Sequence, residues 1–118
     1  MTLLFQHPRM AEHQPGPGHP ESPARYDAIT RHLQFQQVAS RCQAGSIRPL
    51  LLQETEKVHL AEVGKIIEAT CERGGGRIEA DTVLSPGSLE AGLLAAGACC
   101  SAVEAVLAGG NGKKVRPG

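Results

Sequence analysis

The feature that most constrains this chain is the stretch Ser85–Gly110, in which only Glu90 and Glu104 carry a charge. Ser88 is a good helix N-cap, and an acidic residue in the first turn suits the positive end of the helix dipole. The two glycines that end the stretch supply a left-handed stop. The sequence therefore predicts one long helix. Because this helix is apolar nearly all round, we expect it to be buried on more than one side in a domain with several layers.

The same helix has a membrane alternative. Leu89–Ala108 is twenty residues long, which is enough to cross a bilayer. However, Glu104 lies inside it, alanine and glycine contribute little hydrophobicity, and no aromatic belt flanks it. We therefore favour a buried helix and expect no membrane partner.

Length and composition limit what surrounds this helix. The 118 residues suffice for one domain. Twelve basic and twelve acidic residues cancel, so the charge does not suggest a nucleic-acid surface. The N-terminus lacks the pattern of a signal peptide, which favours a reduced, cytoplasmic protein. In such a protein the four cysteines act as small hydrophobic residues; they are Cys42, Cys71, Cys99 and Cys100.

The hydrophobic pattern predicts few elements before the long helix. The short apolar run Thr2–Gln6 fits a buried strand of a parallel sheet. Ile47–Leu52 could be extended, although Pro49 argues against a central strand. One strand and three helices do not complete an α/β domain; they resemble the first third of one. The predicted order is a strand over 2–6, a loop over 9–23, a helix over 23–37, a turn region over 40–46, a helix over 54–72, a connector over 77–84 and the long helix.

The loop over 9–23 is the most distinctive stretch outside the helices. Gln14–Pro23 alone holds four prolines and two glycines, and long ordered loops beside strand ends often carry function. His7, His13 and His19 are evenly spaced, but no cysteine or aspartate pairing accompanies them. We therefore expect them to pack the loop and not to bind metal. The sequence shows no Ser/His/Asp triad and no phosphate-binding loop.

Three stretches of this chain together resemble the histone deacetylase family, including its bacterial members and the acetylpolyamine amidohydrolases. In combination, and in this order, they span nearly the whole chain. The first stretch, which is the most specific, contains His7-Pro8, Glu12-His13 and the loop that runs from Gly16 through Gly18, His19, Pro20 and Glu21 to Pro23 and Arg25. The second stretch is Val58-His59. The third contains Gly74-Gly-Gly, Asp81-Thr82, Ser85-Pro-Gly-Ser88 and the helix that ends Val103–Gly109.

This resemblance implies the α/β arginase/deacetylase fold, with one or two strands of a parallel sheet and about three helices. In the family a strand and a segment with paired catalytic histidines follow the long helix, and the zinc ligands and a catalytic tyrosine come later. This sequence ends Val115–Gly118, where that segment would begin. We therefore expect residues 1–118 to be the truncated N-terminal part of one such domain. It would be incomplete as an isolated domain and would hold no catalytic residue, metal ligand or cofactor; zinc is implied only for the complete domain.

The resemblance also implies roles for three residues. Arg25 corresponds to an arginine that lines an internal channel for acetate release; the alternative is an exposed helix charge. Asp81 lies on a loop that rims the substrate tunnel and can hold the backbone of the acylated substrate; a turn residue is the alternative. Ser85 lies on the same loop, and for it we favour a turn or cap role.

Two hypotheses of function follow. The first is an enzyme fragment from a zinc-dependent deacetylase whose complete domain acts on acetylated lysine or polyamines; this chain alone is expected to be inactive. The second is a non-catalytic interaction module, or the remnant of a disrupted gene. A bare strand edge and an apolar helix would then favour self-association or pairing with the missing remainder.

Overall fold

The computed structural model describes residues 2–109, which form short strands and three α-helices. The strands are β1 (Leu3–Leu4), β2 (Gln43–Ala44), β3 (Gly76–Glu79) and β4 (Thr82–Leu84). The helices are α1 (Pro23–Phe35), α2 (Ala61–Glu72) and α3 (Ser88–Leu107), and 3-10 turns cover Pro8–Glu12, Ala39–Arg41 and Leu52–Lys57. Gly110 and the segment Val115–Gly118, both used in the sequence analysis, lie outside the described residues.

The strand predicted at the N-terminus pairs in parallel with a second strand. Leu3 lies opposite Gln43 and Leu4 opposite Ala44, so the crossover between them contains α1. The region over 40–46 was predicted to be a turn; Ala39–Arg41 does form a 3-10 turn, but Gln43–Ala44 is a strand, and for these two residues the prediction was wrong. Gly45, which follows this strand, lies against the Phe5 ring, where a Cβ atom would clash. That glycine therefore lets the second strand pass close to the first.

Helix α1 begins where the sequence predicts and ends two residues early. The Ser22 hydroxyl accepts a hydrogen bond from the Ala24 N–H at 3.2 Å, and proline occupies the first turn. The chain leaves the helix through Gln37, which has a φ of 58°. The Tyr26 hydroxyl accepts a hydrogen bond from the His7 N–H at 2.9 Å. This bond connects α1 to the segment that follows β1.

Helix α2 begins later than predicted, because its first third is a separate 3-10 turn. Within that turn the Thr55 hydroxyl donates to the Leu52 carbonyl at 2.6 Å. The Leu52 side chain then packs against the buried Gly64 of α2, where a Cβ atom would be about as close as two carbons can approach. Helix α2 ends at Glu72, as predicted, and Gly74 and Gly75, which both have a φ of 98°, follow it.

The predicted connector before the long helix is an antiparallel hairpin of β3 and β4. Gly76 pairs with Leu84, Arg77 with Val83, and Glu79 with Thr82. The register shifts between Arg77 and Glu79. The sequence does not signal this hairpin clearly, because all four residues of β3 are exposed and the strands show no apolar alternation.

Helix α3 confirms the long predicted helix but corrects its N-cap. Gly87 is the capping residue and Ser88 is the first helical residue, so the predicted position was one residue late. The helix ends at Leu107, and Gly109 follows with a φ of 94°. By length and composition alone α3 could cross a membrane, a test that buried core helices also pass.

Burial on more than one side of α3 is not found among residues 2–109. Its packed face presents Ala91, Leu94 and Ala98, which are 4%, 5% and 8% exposed. Near its C-terminal end, Val106 and Leu107 are 72% and 73% exposed. The elements that residues 2–109 place beside α3 cover only one side of it, mainly along its N-terminal half.

Small residues in α3 allow the backbone of a neighbouring segment to approach the helix closely. The Leu50 N–H donates to the Leu93 carbonyl at 3.1 Å, and the Arg48 N–H donates to the Ser101 hydroxyl at 3.1 Å. A Cβ atom at Gly97 would collide with the Arg48 carbonyl. The backbone of residues 48–50 therefore lies directly on the helix, which requires glycine at that position.

Candidate functional site

The proline-rich loop and the β3–β4 hairpin face each other across one open cleft. The cleft has a volume of about 620 Å³. It brings the whole Gly18–Glu21 motif next to Asp81, although the motif and Asp81 are at least 60 positions apart in sequence. Its lining residues are Pro15, Pro17, Gly18, His19, Pro20 and Glu21 from the loop and Arg77, Ala80, Asp81, Thr82 and Val83 from the hairpin.

His19 joins the two sides of this cleft. Its Nδ1 accepts a hydrogen bond from the Glu21 N–H at 3.0 Å. A neutral imidazole that accepts at one nitrogen carries its proton on the other. The Nε2–H of His19 therefore donates to the Asp81 carbonyl oxygen, 2.7 Å away. The bond holds the backbone of Asp81 and leaves its exposed carboxylate facing solvent, with no ion pair among residues 2–109.

His13 makes a second connection, between the loop and the start of α3. Its Nε2 lies 2.7 Å from a carboxylate oxygen of Glu21, and its Nδ1 lies 2.7 Å from the Ser88 hydroxyl. The Ser88 hydroxyl is buried and also accepts a hydrogen bond from the Ser85 N–H at 2.7 Å. This arrangement of a serine, a histidine and an acid was not predicted, because Ser88 lies 75 positions from His13.

Ser85 does more than the turn or cap role that was favoured for it. Its hydroxyl donates to the Glu12 carbonyl at 2.7 Å and accepts from the Gln14 N–H at 2.9 Å. A Cβ atom at Gly87 would clash with the Glu12 side chain, so the connector and the loop are in close contact here. Ser85 thereby fastens the connector to the loop and is a structural partner of the motif.

Arg25 lies apart from the cleft that contains Asp81. It is exposed on the first turn of α1 and faces a smaller cavity of about 290 Å³. Its guanidinium has no ion pair within residues 2–109. The structure therefore brings Gly18–Glu21, Asp81 and Ser85 together and leaves Arg25 in a neighbouring cavity. Glu21 borders both spaces; the smaller one is lined by Met10, His13, Glu21, Ser22, Pro23, Arg25, Tyr26 and Ile29.

An apolar groove between the segment over 52–67 and α3 is a feature that sequence reasoning missed. It has a volume of about 530 Å³ and reaches His13 and Ser88 at one end. His59, from the second stretch of the family resemblance, borders it, whereas the neighbouring Val58 is 80% exposed. Its main apolar walls are Leu52, Val63, Ile67, Leu84, Leu89 and Leu93.

The shifted pKa values belong to Arg48 and Glu54, which do not line the cleft. A hydrogen bond from the Leu51 N–H, at 2.8 Å, is the main cause that lowers the pKa of Glu54. Arg48, 3.0 Å away, lowers it further, and the Glu54 carboxylate in turn raises the pKa of Arg48. The Glu104 side chain is 67% exposed, and its carboxylate lies 3.9 Å from the Arg48 guanidinium. This charge of the apolar helix therefore lies at the surface, beside a residue of opposite charge.

Within residues 2–109 no three histidine, cysteine, aspartate or glutamate side chains are placed to hold one metal ion. His7, His13 and His19 instead have hydrogen-bond partners in the loop, the connector and α3. Cys42, Cys71, Cys99 and Cys100 are all free thiols.

Comparison with known proteins adds a family relationship to this geometry. A family model described as the histone deacetylase domain matches residues 19–118. The chain is 34% identical over 92 residues to a histone deacetylase-like amidohydrolase of Pseudomonas aeruginosa, covering 78% of this chain and 24% of that protein. It is 30% identical over 114 residues to an uncharacterized protein of Synechocystis, covering 91% of this chain and 36% of that protein.

A solved structure shows the same architecture. The crystal structure of the HDA15 HD domain superposes with a TM-score of 0.83 at 27% sequence identity, over 92% of this chain and 33% of that chain. This match confirms the α/β arginase/deacetylase fold that the resemblance implied. The chain spans about a quarter to a third of the length of the proteins it matches.

Proposed function

Since this chain belongs to the histone deacetylase family, we propose that it forms the substrate-facing N-terminal part of a zinc-dependent deacetylase acting on acetylated lysine or acetylpolyamines. One observation carries the proposal: the Gly18–Glu21 motif and Asp81 line a single open cleft. A long, proline-rich loop fixed against a hairpin is a typical scaffold for a binding site. Ser85 and Ser88, which belong to the third stretch of the family resemblance, connect the loop to the residues that follow the hairpin.

Asp81 is the proposed contact to the substrate backbone. Its carbonyl is engaged by His19, while its carboxylate is exposed at the cleft. An ionised carboxylate can accept two charge-assisted hydrogen bonds from the backbone N–H groups of an extended peptide. Asp81 would therefore orient an acetylated substrate without taking part in bond cleavage.

Arg25 is the proposed partner of the acetate product. A guanidinium presents two parallel N–H donors that match the two oxygens of a carboxylate. Arg25 borders its own cavity and has no ion pair within the described part of the chain, so this charge is available to a small anion. The nearby Glu21 carboxylate is hydrogen-bonded to His13, which reduces its repulsion of that anion.

The side chains of residues 2–109 do not fit a zinc site, because no three suitable ligands converge. We therefore assign no bond-breaking step to them. In this proposal the metal ligands, the general base and the group that stabilises the oxyanion belong to parts of the family domain outside residues 2–109. The chain alone would then bind and orient groups but would not hydrolyse an acetyl amide. Its free thiols agree with a reduced, cytoplasmic setting.

Substitutions in the complete deacetylase domain test these roles. Asp81→Asn is expected to raise KM for an acetylated peptide about tenfold with a smaller change in kcat, because it removes a charged hydrogen-bond acceptor. Arg25→Ala is expected to lower kcat while the zinc content stays at one equivalent per domain. Arg31→Ala, an exposed arginine on the same helix, is the matched control. Loss of zinc and of folding in Arg25→Ala would make that arginine structural and contradict its proposed role.

A second candidate, a non-catalytic interaction module, is favoured by the exposed apolar side chains. Phe35, Val58 and Leu60 are 82%, 80% and 75% exposed, and the C-terminal end of α3 adds more. Apolar surface of this kind promotes association with another polypeptide or with a second copy. A cooperative, monodisperse monomer at micromolar concentration would contradict this candidate, whereas a concentration-dependent sedimentation coefficient would support it.

A further inference from the structure

We infer that His13 and His19 are positioning residues. Together they hold the connector, taken with the residues that lead from it into α3 (together residues 81–88), against residues 13–21 of the proline-rich loop. We call this pair, with its partners Ser88 and the Asp81 carbonyl, the histidine clamp. It gives a common role to two of the three evenly spaced histidines, to which the proposed function assigns only separate contacts. The inference rests on the proposed function in one respect only: the clamp keeps Asp81 in place at the substrate cleft.

The loop needs side-chain fastenings because its own backbone offers few. Pro15 and Pro17 have no N–H, so they cannot donate hydrogen bonds to a neighbouring segment. Gly16 and Gly18 have φ values of 111° and 78° and leave the backbone conformationally free. A histidine stands at each end of this weakly held segment, and each one reaches the connector.

Hydrogen-bond accounting defines the His13 end of the clamp. An ionised Glu21 carboxylate only accepts, so the Nε2 of His13, 2.7 Å away, must carry a proton. In the neutral ring the Nδ1 then accepts from the Ser88 hydroxyl, also 2.7 Å away. The Ser88 hydroxyl still accepts from the Ser85 N–H. Every polar atom in this chain of contacts therefore has a partner of the right kind.

At the His19 end of the clamp, both ring nitrogens also have hydrogen-bond partners. Its Nδ1 accepts from the Glu21 N–H, and its Nε2–H donates to the Asp81 carbonyl. Glu21 thus takes part at both ends, through its carboxylate to His13 and its backbone to His19. Because the two ends share Glu21, loosening one end should loosen the other, and the clamp should behave as one unit.

Amide hydrogen exchange in the 118-residue chain tests this coupling directly. Three backbone N–H groups donate to side chains of this network: Gln14 to Ser85, Glu21 to His19, and Ser85 to Ser88. His19→Ala removes the partner of the Glu21 N–H only. The clamp nevertheless predicts that exchange at Gln14 and Ser85, which keep their own partners, also becomes faster by about fivefold, the loss expected for one hydrogen bond.

Two further variants separate the clamp from a general loss of folding. His19→Gln places an amide nitrogen where Nε2 lies and should return Gln14 and Ser85 to the wild-type rate. His32→Ala, which removes an exposed histidine of α1, should change neither. Acceleration of Glu21 alone in His19→Ala would overturn the clamp. If His19→Ala unfolds, hydrogen exchange at the Leu94 amide also becomes faster, and His19→Gln then provides the test. Faster exchange at Ser85 in His19→Gln overturns the inference, and exchange at the wild-type rate supports it.

A second experiment measures the effect of the clamp on catalysis in the complete deacetylase domain. There, His19→Ala is expected to raise KM for an acetylated peptide about fivefold, since it releases the backbone of the residue proposed to bind that peptide, and to leave kcat within about twofold. His19→Gln should restore KM. Coupled exchange in a domain without deacetylase activity would refute the proposed function and leave the clamp intact. Uncoupled exchange in an active domain would refute the clamp alone.

Discussion

The two halves of α3 have similar compositions but opposite surroundings. In the half over 88–98, Ala91, Leu94 and Ala98 lie in the core, and Gly97 touches the backbone of residues 48–49. In the half over 99–107, the large apolar residues Val103, Val106 and Leu107 are mostly exposed. One apolar sequence therefore forms the core of a loop scaffold at one end and a bare surface at the other.

This difference shows which part of the fold residues 2–109 complete by themselves. The N-terminal half of α3 supports the loop, the connector and the clamp, which are the elements of the proposed substrate cleft. The described residues place no comparable element against the C-terminal half. Even the most enclosed side chains, such as Thr70 and Ala91, keep about 4% of their surface exposed, so the core is shallow.

Truncation of one leucine in each half of α3 should show the largest difference in the free energy of unfolding between the two halves. Leu94→Ala removes a side chain that is 5% exposed and is expected to lower the free energy of unfolding by about 2–5 kcal/mol. Leu107→Ala, at a position 73% exposed, should change it by less than about 0.5 kcal/mol. Urea unfolding followed by circular dichroism measures both. Equal losses would mean that the two halves are equally packed.

Two glycines of α3 test whether different faces of the helix are packed differently. A Cβ atom at Gly97 would collide with the Arg48 carbonyl, so Gly97→Ala is expected to destabilise by about 1–3 kcal/mol through overpacking. Gly92 has open space beside it, and Gly92→Ala should stabilise by about 0.5–1 kcal/mol through helix propensity. Thermal unfolding of the two variants should therefore move in opposite directions. A destabilised Gly92→Ala would show that the open side is covered in solution.

The smallest expected effect concerns pH on the Arg48 side of α3. The pKa of Glu54 is lowered in the folded state, first by the Leu51 N–H and then by Arg48. A lowered folded pKa stabilises the protein above the unfolded value, about 4.3, and this contribution is lost as pH falls through the folded pKa. Wild type should thus lose slightly more stability than Glu54→Gln between pH 6 and about pH 3. An identical pH dependence for both proteins would show that the Leu51 and Arg48 contacts do not persist in solution.

The features predicted from sequence were those that local chemistry specifies. The start of α1, the end of α2 and the extent of α3 are specified by residues at or near those elements: Ser22 and Pro23, Gly74 and Gly75, and the apolar run of α3 itself. The β2 strand and the β3–β4 hairpin were missed because both are short and their exposed residues show no alternation. The family motif pointed to Gly18–Glu21 and Asp81, but local patterns cannot show that His13 meets Ser88 across 75 positions.

The central claim is that residues of this chain orient substrate while the metal centre lies elsewhere in the family domain. Zinc-dependent turnover by the purified 118-residue chain is the direct test of this claim. The measurement is release of acetate from an acetyl-lysine peptide and from an acetylpolyamine with excess zinc, beside the complete domain as a positive control. The account predicts chelator-sensitive turnover by the complete domain and no turnover above the enzyme-free rate by the chain alone, because hydrolysis of this type needs three metal ligands and a positioned base. Chelator-sensitive acetate release by the chain alone would contradict it.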